Sequence, residues 1–91
     1  MHFIETVFHH YEQSLFSIKK IKNKLYQKGF EQSLIDDYVS KKVSENPDLE
    51  LDILKRFIIR KKLSKLETDE LKKKLYQQNF SDNSIYKVIR D

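Results

Sequence analysis

Six residues, Leu25-Tyr26-Gln27-Lys28-Gly29-Phe30, return fifty positions later as Leu75-Tyr76-Gln77-Gln78-Asn79-Phe80. The agreement extends to both sides. Ile21, Lys22 and Lys24 match Leu71, Lys72 and Lys74, and Ile35, Tyr38 and Val39 match Ile85, Val88 and Ile89. Apolar positions stay apolar, and Gly29 is exchanged for Asn79. Glycine and asparagine are the residues that most readily end a helix in the left-handed conformation. Chance similarity between amphipathic helices would not usually carry along the stop residue and the aromatic after it. The repeat therefore predicts an all-α fold of tandem three-helix units over residues 1–45 and 46–91, six helices in an elongated or curved array. With 91 residues in all, neither half has length for an adequate core, so each unit depends on its neighbour.

Apolar spacing places the helices. Phe3, Ile4, Val7, Phe8 and Tyr11 recur at three and four residues, which predicts a first helix over about 2–14. Ser17 is the expected N-cap of a second over 18–28, seamed by Ile18, Ile21 and Leu25 and stopped at Gly29, with Phe30 folding back over its last turn. Leu34, Ile35, Tyr38, Val39 and Val43 drive a third over 32–44. Asn46-Pro47 is read as cap and first residue of a fourth, running to about Lys65. Thr68 is the expected cap of the fifth, which ends at Asn79. Ser81 is that of the sixth, with Ile85, Val88 and Ile89 inside.

The search for chemistry is thin. There is no cysteine, which excludes disulfides and thiolate metal sites. The adjacent pair His9-His10 lacks the i, i+4 spacing of a helical zinc site. A single glycine is too few for a phosphate-cradling loop. Asp36-Asp37 and Asp69-Glu70 read as acids near helix starts rather than as an acid–base pair. The expectation is a protein that is not an enzyme and takes no cofactor or metal. No apolar run approaches the roughly 20 residues that span a bilayer, and the start does not read as a signal peptide. A cytoplasmic location is the default.

The recurrence of Tyr26 with Tyr76, and of Phe30 with Phe80, is read first as packing around the helix ends. Base stacking would require these rings to stand exposed beside basic side chains. Phe8, Tyr11 and Phe16 are less constrained by the repeat and are expected to meet a partner or an absent neighbouring segment.

The basic runs are more informative. Lys19, Lys20, Lys22, Lys24 and Lys28 carry five positive charges with no acid between them. Lys20, Lys24 and Lys28 form an i, i+4 row. Lys55, Arg56, Arg60, Lys61 and Lys62 form a second acid-free group, and Lys72, Lys73 and Lys74 a third. Like charges at this spacing cost a few tenths of a kcal/mol each, roughly, which a solvated face tolerates. Their repetition favours a polyanion or an acidic protein groove, for which Arg56 and Arg60 are suited to bidentate contacts.

The repeated Lys-x-Lys-Leu-Tyr-Gln-x-Gly/Asn-Phe run resembles the bacterial regulatory protein RecX family of recombination regulators, built from tandem three-helix repeats. Ile18 to Leu25 followed by Lys28-Gly29 is similar to part of that family's middle repeat. Its last repeat is matched by the basic helix from Leu54 to Leu66, by Leu71-Lys72-Lys73-Lys74-Leu75-Tyr76, by Phe80-Ser81 and by Ile85-x-x-Val88-Ile89. Asn79 stands where the last repeat more often has glycine. The family normally has a further repeat upstream, so this chain is expected to be a fragment holding the second and third. An outward side of Phe3, Val7 or Phe8 is then expected to meet the absent unit or to support self-association.

The resemblance implies a non-enzymatic inhibitor of the RecA recombinase that binds the RecA–single-stranded DNA filament, a role in DNA repair, recombination and the SOS response. Lys19, Lys20, Lys24, Lys28, Arg56, Arg60, Lys61, Lys72 and Lys73 are the expected electrostatic contacts to phosphate or to acidic RecA surfaces. Gly29, Phe30, Asn79 and Phe80 are the structural turns. A RecA-independent helical nucleic-acid-binding module and a partner-binding scaffold repeat remain as alternatives.

Overall fold

A computed structural model describes residues 3–90. Six α-helices follow one another, with no strand among the described residues: α1 (Phe3–Gln13), α2 (Ile18–Gln27), α3 (Gln32–Glu45), α4 (Leu49–Arg60), α5 (Thr68–Gln77) and α6 (Asp82–Arg90). A 3₁₀ turn over Leu63–Lys65 lies between α4 and α5. The array is elongated, 43 × 22 × 17 Å, with a radius of gyration of 13.6 Å. A compact chain of this length would have about 12 Å.

Three helices end in the same way. After α2, Gly29 takes φ 102°, and the Phe30 N–H donates to the Leu25 carbonyl at 3.3 Å. After α5, Asn79 takes φ 65°, and Phe80 N–H donates to the Leu75 carbonyl, also at 3.3 Å. The sequence anticipates both. It does not reveal the third, where Leu15 after α1 has φ 63° and Phe16 N–H reaches back to the Tyr11 carbonyl at 3.3 Å. Each is a left-handed residue followed by phenylalanine, whose amide closes an orphaned carbonyl of the last turn. Leu15 adopts this costly conformation while its side chain is buried, so packing offsets the backbone penalty.

The fourth helix differs from expectation at both ends. Asn46 closes α3, donating its N–H to the Lys42 carbonyl at 3.0 Å, and its own carbonyl accepts from Leu49 N–H at 3.0 Å. Pro47 and Asp48 therefore form a turn, and α4 starts at Leu49. At the other end Lys62 adopts φ 56°, ψ 42°, breaking the helix after Arg60 and turning Leu63 back to pack against the core. The expected cap Thr68 is already helical. Glu67 holds the cap position, without a side-chain cap bond. Ser17 and Ser81 do cap: Ser17 Oγ accepts from Lys20 N–H at 3.2 Å, and Ser81 Oγ accepts from Ser84 N–H at 3.3 Å.

One apolar cluster runs through the whole array, from Ile4, Phe8, Tyr11 and Leu15 through Ile21, Leu25, Ile35 and Val39 to Leu49, Ile53, Leu54, Phe57, Leu75, Phe80 and Ile85. In the first three helices α2 packs on both α1 and α3, whereas in the last three it is α6 that packs on both α4 and α5. Aromatic rings reinforce both ends. Phe8 of α1 meets Tyr38 of α3 edge-on at 5.4 Å, and Phe57 of α4 lies 5.6 Å from Phe80. Leu34 and Val43, expected inside, are exposed. Phe8 and Tyr11, expected to face a partner, are buried, Phe8 to 1% exposure. Phe16 is half-buried and stacks on Tyr11 at 5.6 Å. The apolar face of α1 thus lies largely in the chain's own core. Phe3's side chain falls outside the described residues.

Candidate functional site

Glu50, which the sequence reading passed over, joins the two halves. It sits in the first turn of α4, and its carboxylate meets the N-termini of two other helices. Oε2 accepts from the Ile18 N–H at the start of α2, at 3.0 Å. Oε1 accepts from Ser81 N–H at 3.0 Å, from the Ser81 hydroxyl at 2.7 Å and from the Ser84 hydroxyl at 2.8 Å. A negative charge there satisfies orphaned amides and complements both helix dipoles. The only sequence signal is an acid in the first turn of a helix, which ordinarily acts on its own helix.

One basic side chain of α2, Lys20, reaches the end of α5. Lys20 is half-buried, its ammonium 4.4 Å from the centre of the Phe16 ring and donating to Gln78 Oε1 at 3.3 Å. Lys24 lies 5.9 Å from the same ring. Phe16 thus collects two members of the expected lysine row by cation–π attraction, while Lys28, at the end of α2, is exposed. Gln78, which receives Lys20, also lines a depression of about 280 Å³ with Phe57, Lys61, Leu63, Lys74 and Gln77. The structure therefore brings the first basic group (Lys20) to the edge of the second and third (Lys61, Lys74). Lys73 is exposed on the outer side of α5, and Lys72 is half-buried.

Few of these cations are in ion pairs. Among the described residues, Lys22 pairs with Asp36 at 3.1 Å and Arg56 with Asp52 at 3.4 Å. Of the nine expected contact residues, Arg56 alone has such a partner. The Gln32 amide, and after it the Lys22 ammonium, hold the Asp36 carboxyl below the usual range. Lys19, on a different flank of α2 from the Lys20 row, lines a separate groove of about 700 Å³ with Lys22, Asn23, Tyr76 and Asp82. There a hydrogen bond to Asp82, with some burial, raises the Tyr76 phenol above its ordinary value.

The paired tyrosines are not core residues. Tyr26 is 62% and Tyr76 47% exposed, whereas Phe30 is half-buried and Phe80 buried. Only the phenylalanines of the repeated motif pack inward. A tyrosine just before the helix stop lies beyond the arc covered by Leu25 or Leu75. No cluster of three or more histidine or acidic residues able to hold a metal occurs among the described residues. His9 lies 3.7 Å from Glu12 at the surface. Among the described residues, no helix is long and apolar enough to cross a membrane. Comparison with family models, curated proteins and solved structures finds no match to this chain.

Proposed function

We propose that this chain is a RecX-type regulator. It would bind the RecA–single-stranded DNA filament as a tandem pair of three-helix repeats and damp RecA activity without a catalytic centre of its own. The observation that carries the reading is that Lys19, Lys20, Lys24, Lys28, Arg60, Lys61, Lys72 and Lys73 have no carboxylate partner among the described residues. Cations left unpaired on several helices of an elongated body suit a long polyanionic surface, where they steer association and hold register. The matching left-handed stops at Gly29 and Asn79 support the tandem reading. The different packing of α2 and α6 makes the two repeats similar in their turns and unlike in their helix arrangement.

Exposure of Tyr26 and Tyr76 beside lysines favours a second reading, direct binding of single-stranded nucleic acid, since aromatic faces beside cations can stack on bases. One experiment separates the two. Binding to single-stranded DNA alone and to RecA filaments is measured at two salt concentrations, together with RecA ATPase activity. Filament binding with ATPase inhibition supports the RecA reading. Strong binding to bare DNA without inhibition replaces it with the second, and absence of both overturns both.

A further inference from the structure

The last turns of α4 present a surface that a phosphate backbone does not explain. Among the described residues, Ile59 is the most exposed of the large apolar side chains, at 74%. It lines a shallow groove of about 330 Å³ whose other walls are Arg56, Arg60 and Leu15. Leu15 is buried and held by the left-handed turn after α1, so the groove has an aliphatic floor. A singly exposed isoleucine is ordinary. One set in an apolar concavity between two arginines is a composite surface. The stretch from Ile53 to Leu66 contains no acid, and Lys55, Lys61 and Lys62 add to the positive field around it. Asp52 meets Arg56 at 3.4 Å, with both side chains exposed.

We infer that this groove docks a protein segment that is acidic and carries an aliphatic or aromatic side chain between its carboxylates. The apolar residue covers Ile59 and Leu15, and the carboxylates take the forked donors of Arg56 and Arg60, which match carboxylate geometry. Nucleic acid fits less well. The groove offers no aromatic ring for a base to stack on, and phosphates would leave Ile59 in water. The inference rests on the preceding reading only in that a negatively charged partner meets the basic faces. It assigns this end of the surface to protein rather than to DNA.

The test is selection from a library of short random peptides against the whole chain. Parallel arms use oligothymidylate and phosphatidylserine vesicles. Selected peptides are expected to combine Asp or Glu with Leu, Ile or Phe, and to shift the amide resonances of Leu15 and of Arg56 to Arg60. Their affinity should fall about tenfold or more on Ile59→Ser and again on Arg60→Glu, with Leu34→Ser, at an exposed position of α3, as a neutral control. Ile59 is exposed, so its replacement leaves the fold intact. The inference is overturned if no peptide is enriched, if selected peptides lack acids or apolar residues, or if Ile59→Ser weakens the oligothymidylate or vesicle arm instead. Peptide selection as expected without filament binding would overturn the RecA reading alone. Filament binding with failed selection would overturn this inference alone.

Discussion

The Glu50 carboxylate and the Ser81 hydroxyl lie 2.7 Å apart across 31 residues of chain. The other oxygen of the same carboxylate holds the first amide of α2. One side chain thus fixes the starts of two helices, one in each half. It does so in a partly buried position, where charge-assisted hydrogen bonds are stronger than neutral ones.

Glu50→Ala should therefore lower unfolding free energy by about 2–4 kcal/mol, because amides of two helix starts lose their acceptor together. Urea denaturation measures this. In hydrogen exchange, Ile18 and Ser81 amides should lose protection in step. A Glu50→Ala, Ser81→Ala double-mutant cycle should show a coupling of roughly 0.5–3 kcal/mol, and additivity would contradict the proposed joint.

Residues 1–44 alone should not fold cooperatively. The fragment lacks Glu50, which satisfies Ile18, and the part of the apolar cluster contributed by Leu49, Ile53, Leu54 and Phe57. A sharp thermal transition by circular dichroism in that fragment would refute this.

Left-handed positions give opposite signs according to residue type. Gly29→Ala should destabilise by about 1–2 kcal/mol through backbone strain alone, since nothing lies within 4 Å of the added methyl carbon. Lys62→Gly should stabilise by about 0.5 kcal/mol, the relief of strain exceeding the entropy that glycine loses on folding. Matched thermal melts decide both.

Acid should weaken the contacts that Asp36 makes with Gln32 and Lys22. The folded Asp36 pKa is depressed below its ordinary 3.8. Its contribution is therefore full above the unfolded value and is lost as pH falls through the folded one. Melting curves of the chain and of Asp36→Asn should differ near neutrality and converge in strong acid. A gap that persists at the lowest pH would exclude this origin.

If the basic faces bind single-stranded DNA or its filament, replacing Lys73, which has no carboxylate partner among the described residues, by alanine should weaken binding at low salt. It should also flatten the slope of log affinity against log salt by about 0.7. An unchanged slope would remove Lys73 from the interface.

The repeat at Leu25–Phe30 and Leu75–Phe80 made the helical class and two of the stops legible, because a left-handed terminus depends on the local residues that form it. Ser17 and Ser81 were legible as caps for the same reason. The stop at Leu15 was hidden because leucine has no preference for positive φ and takes it only where burial compensates. Tyr26 and Tyr76 were misplaced because periodicity marks an apolar arc without saying how much of it a neighbour covers. Phe8 and Tyr11 were misplaced for the converse reason, since the rings that bury them come from α3 and from the turn after α1.

The sequence by itself determined helix class, approximate bounds, and three acid-free basic runs, all governed by residues within a turn or two of one another. Tertiary structure alone decided that Glu50 serves helices other than its own, that Lys20 meets Gln78, and that Ile59 stands uncovered between two arginines. Those relationships depend on the angles at which helices distant in sequence cross. Small differences of packing set these angles, and no short pattern of residues encodes them.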